Sequence, residues 1–212
     1  MVLHEGHGQH SRRLQQAIVT VLAVAVIALG GALVGVSSAG ATSVTPPTIS
    51  GFIPTLGSTT GGTEVLIFGT HFTRVTSVKF GTTPASFTVT SSTVIVATTR
   101  SHPAGAVSVS VTSPGGTATG SSRYTYVTPP TISPTAGPTT GGTTVTITGS
   151  HLSGATAVDF GATNPGSTLK VTGTTVTVKT PSHAAGTVKV TVQLGLFTSL
   201  TASSEYTYVT SG

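Results

Sequence analysis

The sequence predicts an all-β chain, two tandem β-sandwiches that follow an N-terminal signal or anchor segment. Three observations carry this reading: stretches of strict apolar–polar alternation, an internal repeat of about 80 residues, and a composition poor in charge and helix formers. Lys and Arg number 9 and Asp and Glu 4, so 6 % of the 212 residues are charged, against about a quarter in a typical soluble domain. About one residue in five is threonine, and Cys and Trp are absent. Thr, Val and Gly are poor helix formers. The 37 % hydrophobic content with little charge does not match a disordered chain. Without cysteine there is no disulfide framework, thiolate zinc site or cysteine nucleophile. Four acidic residues leave little material for acid–base or metal chemistry, so the composition argues against an enzyme.

The first element is the N-terminal segment. Arg12 and Arg13 precede the uncharged apolar run Ala17–Val36, and small residues follow through Ser37-Ser38-Ala39-Gly40-Ala41. A basic stretch, an apolar stretch and an Ala-x-Ala site make a secretory signal peptide, with cleavage expected after Ala41. The apolar run is also long enough to span a bilayer, so residues 17–36 have an alternative as an uncleaved transmembrane anchor. Both alternatives leave the arginines cytoplasmic and export the chain from Thr42 onward. That gives three segments: 1–41 as signal peptide or anchor, 42–127 as the first sandwich and 128–212 as the second.

The repeat defines the two sandwiches. Pro54–Phe80 matches Pro134–Phe160 at an offset of 80, through Gly61-Gly62-Thr63 and Gly141-Gly142-Thr143, Gly69 and Gly149, His71 and His151, and Phe80-Gly81 and Phe160-Gly161. The offset is 81 at Ser101-His102 and Ser182-His183, and 82 at Tyr124-Thr125-Tyr126 and Tyr206-Thr207-Tyr208. Such one-residue drift is the mark of small loop insertions in two copies of one unit, each of ordinary small-domain size. Within the copies Thr144–Thr148, Val107–Val111 and Val188–Val192 alternate without a fault, and Val158–Phe160 and Val176–Val178 continue the pattern. This alternation reads as strands with one dry and one wet face. Thr59-Thr60-Gly61-Gly62 and Asn164-Pro165-Gly166 supply turns between them. About seven such strands per copy predict a two-sheet sandwich, and no helix is expected after Thr42.

The order Pro–Thr–Ile, Pro, Gly-Gly-Thr, Val-x-Ile-x-Gly, His-Phe, Val-x-Phe-Gly and Tyr-Thr-Tyr, seen over Pro47–Val127 and again over Pro130–Val209, resembles the IPT/TIG immunoglobulin-like domain. One departure is visible: the family usually has Asn-Phe where this chain has His71-Phe72 and His151-Leu152. The module occurs in plexin-type receptors, in some transcription factors, beside starch-acting enzymes and in bacterial surface proteins. The resemblance therefore implies an immunoglobulin-like fold, and it implies a tandem module of a bacterial exported protein rather than one defined activity.

The candidate residues point the same way. Gly61-Gly62 and Gly141-Gly142 precede strands, not helices, and no lysine follows them, so they read as turn glycines rather than a phosphate loop. Glu64, Asp159 and Glu205, the acids after residue 41, fall on different elements and no pair of them recurs between copies. They supply neither a glycosidase carboxylate pair nor a calcium cage. No catalytic, cofactor-binding or metal-ligating residue is assigned, and no cofactor is expected. His71 and His102 are expected at opposite ends of the first sandwich. His102 and His151 are expected near the two ends that face each other across the Thr128-Pro129 connection, each as a solvated loop histidine, with a domain geometry sensitive to pH or metal as the alternative. Leu66 and Phe68 stand where the second copy has Thr146 and Thr148, on the face opposite Val65 and Ile67, and predict an outward apolar pair. All four Tyr lie in the two Tyr-x-Tyr strands and are expected to pack.

The functional expectation is a non-catalytic secreted or cell-surface protein with structural, adhesive or protein-interaction roles. A carbohydrate-binding accessory module acting on cell-wall or storage polysaccharide is the alternative, weakened by the absence of Trp. The partner is accordingly a protein or a cell-wall glycan. Seven basic residues after position 41 are too few for a nucleic-acid partner, and membrane contact is expected only through an uncleaved N-terminal segment. No sorting motif follows Val209, so retention at a surface would depend on that anchor or on non-covalent contact.

Overall fold

The computed structural model describes residues 44–210 apart from residue 163. The expected signal peptide or anchor at 1–41 lies outside the described residues. Among those described, no helix is long and apolar enough to cross a membrane.

The first copy contains β1 (Thr48–Ile53), β2 (Leu56–Ser58), β3 (Glu64–Thr70), β4 (Ser77–Phe80), β5 (Thr83–Pro84), β6 (Ser86–Ser91), β7 (Val94–Thr98), β8 (Gly105–Ser113) and β9 (Gly116–Val127). One sheet runs β1-β3-β7-β6 and the other β2-β9-β8-β4-β5. The chain therefore changes sheets between Ile53 and Leu56: β1 pairs antiparallel with β3, whereas β2 pairs parallel with β9. Pro54, preceded by a cis peptide bond, sits at that crossing and has no N–H to offer either ladder. This is the layered arrangement of an immunoglobulin-like sandwich, with the first strand divided between the sheets.

The second copy repeats it with β10 (Thr131–Ser133), β11 (Ala136–Pro138), β12 (Thr144–Thr148), β13 (Ala157–Phe160), β14 (Ser167–Val171), β15 (Thr175–Lys179), β16 (Gly186–Val188), β17 (Val190–Gln193), β18 (Ser199–Thr201) and β19 (Tyr206–Val209). Its first sheet is β10-β12-β15-β14, the counterpart of β1-β3-β7-β6. Its second sheet divides into β11-β19-β16 and β13-β17-β18. The sequence reads Val188–Val192 as one uninterrupted strand, but Lys189 breaks it into β16 and β17. The physical cause is visible in both copies: the Lys189 carbonyl accepts from Gly161 N–H at 2.8 Å, as that of Ser108 accepts from Gly81 at 2.7 Å, so each leaves the regular ladder. In the first copy the disturbance is only a register shift between Ser108 and Ser110. A three-residue 3-10 turn at Leu152–Gly154 is the one helical element among the described residues, and the sequence pattern does not announce it.

Alternation decides what is buried. Val65 and Ile67 of β3 face Ala97 and Ile95 of β7, and all four are fully buried. With Phe52, Phe72, Val78, Phe80, Val109, Val111, Tyr124 and Tyr126 they form the first core. Val145, Ile147, Val176 and Val178 hold the equivalent positions in the second. Each such side chain contributes about 1.5–3 kcal/mol by leaving water. The Gly61-Gly62 and Gly141-Gly142 turns have φ between 75° and 82°, the left-handed region that a side chain would resist. Gly62 N–H then reaches Thr99 O and Gly142 N–H reaches Thr180 O, both at 2.8 Å, which ties each turn to the edge of its sandwich.

The two cores meet. Val127, the last residue of β9, is buried in the second core, and Leu56 at the start of β2 packs against that core. Thr128, Pro129 and Pro130 alone separate β9 from β10, so the connection has little slack.

Candidate interaction surfaces

The residues that could carry chemistry are dispersed. Among the described residues, no three His, Asp or Glu side chains come together in a group able to hold a metal ion. Glu64 begins β3, Asp159 lies on β13 and Glu205 immediately precedes β19. Asp159 accepts a hydrogen bond from Gln193 Nε2 at 2.9 Å. This pair lines a groove of about 510 Å³ together with Thr187, Lys189 and Thr191. Gly161, Ala162 and Val188 complete it with small and apolar surface.

The histidines serve local structure. His71 ends β3 with φ 57°, and His151 precedes the 3-10 turn with φ 60°. Left-handed backbone is costly for most side chains, and Asn, Asp and His are among those that adopt it most readily. That accounts for His at the two places where the family pattern has Asn. His102 and His183 have a different task. His102 stacks on Tyr126 with ring centroids 4.7 Å apart and planes at 19°, and His183 stacks on Tyr208 at 4.9 Å and 21°. The carbonyls of Pro103 and Ala184 lie 2.7 and 2.8 Å from the respective Nδ1 atoms. A carbonyl can only accept, so Nδ1 carries the proton in each ring.

His71 follows the strand end that pairs with Thr48, while the His102 amide donates to Thr59 O beside Val127, so the two rings belong to opposite ends of the first sandwich. His102 lies on a tyrosine face, and His151 is exposed at the start of the 3-10 turn. The stacking was not foreseen from the sequence, although the recurrence of His102 with His183 and of both Tyr-Thr-Tyr strands held the clue.

The tyrosines are core residues, as their spacing predicts. Phe80, Tyr124 and Tyr126 interlock edge-to-face at 4.9 and 5.0 Å, and Phe160, Tyr206 and Tyr208 do so at 5.4 and 5.0 Å. This is the favoured arrangement for aromatic pairs. All four hydroxyls are buried without a well-formed hydrogen bond among the described residues. The Tyr124 phenol is raised above its ordinary value by burial, which the hydroxyls of Thr63 and Thr99 partly offset. Burial, with a smaller contribution from Tyr124, pushes Tyr126 up to about 12. Tyr208 is likewise pushed up to about 12 by burial and then Tyr206, against an opposing effect of Thr180. Glycine makes room for these groups: a Cβ at Gly57 would strike the Tyr124 hydroxyl and Thr63, and one at Gly137 the Tyr206 hydroxyl and Thr143.

Leu66 and Phe68 point away from the core, as the alternation predicts, and are half-buried. The register adds what the sequence does not: Ile53 and Val96 flank Leu66, and Val94 lies beside Phe68.

The IPT/TIG domain family matches this chain twice, at residues 47–127 and 128–209. The chain belongs to the IPT/TIG family. No curated protein matches it. Among solved structures, the IPT/TIG pair is similar to the plexin A4 full extracellular region. With domains 1 to 8, the identity is 28 % over 81 % of this chain and 19 % of that one, with a TM-score of 0.47. With domains 1 to 10, it is 27 % over 82 % of this chain and 16 % of that one, with a TM-score of 0.49. The chain thus spans less than a fifth of the plexin region's length. It is also similar to SGBP-B from a complex xyloglucan utilization locus in Bacteroides uniformis, at 20 % identity over 76 % of this chain and 48 % of that one, with a TM-score of 0.33.

Proposed function

We propose that this tandem IPT/TIG chain is a non-catalytic protein, exported to the cell surface or beyond it, that serves structural, adhesive or protein-interaction roles. The observation that carries this reading is the seam between its modules. Val127 and Leu56 of the first sandwich pack into the second core, so the outward sheet faces are displayed in a fixed relation. A semi-rigid pair of that kind spaces or presents a surface. Among the described residues, the acids Glu64, Asp159 and Glu205 stand at separate strands rather than together. The basic, apolar and small-residue order of positions 1–41 supports export.

Every lysine of the chain, Lys79, Lys170, Lys179 and Lys189, lies in the domains and is exposed. A membrane-impermeant amine reagent added to intact cells is therefore expected to label the protein at these four positions. Labelling only after lysis would contradict export.

The groove at Asp159 and Gln193 favours a second reading, a carbohydrate-binding module. A carboxylate, an amide, an ammonium group and threonine hydroxyls together offer donors and acceptors for sugar hydroxyls. Glycan-array binding that disappears in Asp159→Asn would support it. Silence on the array, with labelling of intact cells retained, favours a protein partner.

A further inference from the structure

The two copies differ on one surface, the outward face of β1-β3-β7-β6 and its counterpart β10-β12-β15-β14. In the first copy Ile53, Leu66 and Val96 form one cross-strand row, and Gly51, Phe68 and Val94 the next. Val94 is buried, at 6 % exposure, whereas Ile53, Leu66, Phe68 and Val96 are half-buried and lie outside the first core. At the same register positions the second copy has Ser133, Thr146 and Thr177, then Thr131, Thr148 and Thr175. Every apolar side chain of the first face is matched by a hydroxyl on the second. One backbone serves both, so the fold itself does not demand apolar residues there. The second face is the ordinary wet side of an antiparallel sheet, and Lys170 and Lys179 lie exposed along it.

We propose that the apolar face of the first sandwich docks onto the same face of a second copy of this chain. Glu64, at one end of β3, is the only charge among the outward positions of these strands. Arg74 is exposed in the loop beyond the other end. A two-fold contact with antiparallel strands sets Glu64 of each copy toward the Arg74 end of its mate and brings the Leu66 and Phe68 rows together. A parallel arrangement would set Glu64 against Glu64. Such self-complementary contact is the usual form of a two-fold dimer. Thr88 and Thr98 border the apolar rows and give the contact a polar rim.

Four strands spaced by about 4.8 Å and some six residues long cover roughly 20 by 20 Å. That is less than the roughly 800 Å² per partner of a standard interface. The contact is therefore weak and concentration-dependent, suited to chains held close together. The inference rests on reading the chain as an interaction module.

The chain contains no cysteine, so a single introduced thiol reports contact cleanly. Thr88 is exposed beside Val96, and Lys170 holds the equivalent position beside Thr177. In the full chain, Thr88→Cys with a short bismaleimide is expected to give a covalent dimer, and Lys170→Cys only background. Adding Leu66→Thr and Phe68→Thr to Thr88→Cys should lower the dimer about tenfold or more, because four large apolar side chains leave each paired interface. The melting temperature of each variant confirms that it is folded, and the second copy already carries threonine at both positions. Equal dimer from the Thr88 and Lys170 thiols, or none from Thr88 at any concentration, would overturn the inference. Retained lysine labelling on intact cells would then leave the display reading standing.

Discussion

Tyr126 and Tyr208 hold their protons more tightly in the folded chain than in the unfolded one, and this gives stability a defined pH dependence. Their phenols sit at about 12 against an ordinary 10.0. Below pH 10 both states are protonated and the contribution is fully present. As pH rises from about 10 to 12 the unfolded chain loses these protons while the folded chain keeps them, and stability falls. Tyrosinate absorbance should therefore appear together with unfolding, and free titration near pH 10 with the sandwiches intact would contradict it. The glycine beneath Tyr124 is a second residue-scale test. Gly57→Ala is expected to cost about 1–3 kcal/mol in urea unfolding through overpacking. Gly51→Ala, whose Cβ would meet nothing within 4 Å, should cost nothing measurable.

At the scale of the strand, β3 shows how far alternation reaches. Ile67→Thr places a hydroxyl in the fully buried core and should cost about 2–4 kcal/mol. Phe68→Thr, one residue on and on the outer face, should cost under about 1 kcal/mol in the same unfolding assay. Alternation of this kind made the strands, the inward tyrosines and the outward Leu66 and Phe68 legible in the sequence. Residues distant in the chain remained illegible. Ile53, Val94 and Val96 join Leu66 and Phe68 only through cross-strand register, which is set by bulges such as that between Ile49 and Gly51. The break at Lys189 is not legible in the local pattern because the partner of its carbonyl is Gly161 N–H, nearly thirty residues earlier. The His–Tyr stacks are illegible for the same reason, since they join a loop to a strand more than twenty residues away.

For the whole molecule, the seam matters more than either sandwich. Leu56 lies in the first copy but packs against the second core. Leu56→Ala should leave both folds intact yet loosen their connection, seen as a larger radius of gyration by small-angle scattering and faster proteolysis near Thr128. Unchanged scattering would mean that the Pro129-Pro130 link alone sets the geometry. A coupled pair of IPT/TIG sandwiches becomes a display device only if it leaves the cytoplasm, and intact-mass measurement of the protein recovered from the medium and cell surface tests that most directly. The account predicts a chain that begins at Thr42; a full-length chain confined to the cytoplasm would contradict it.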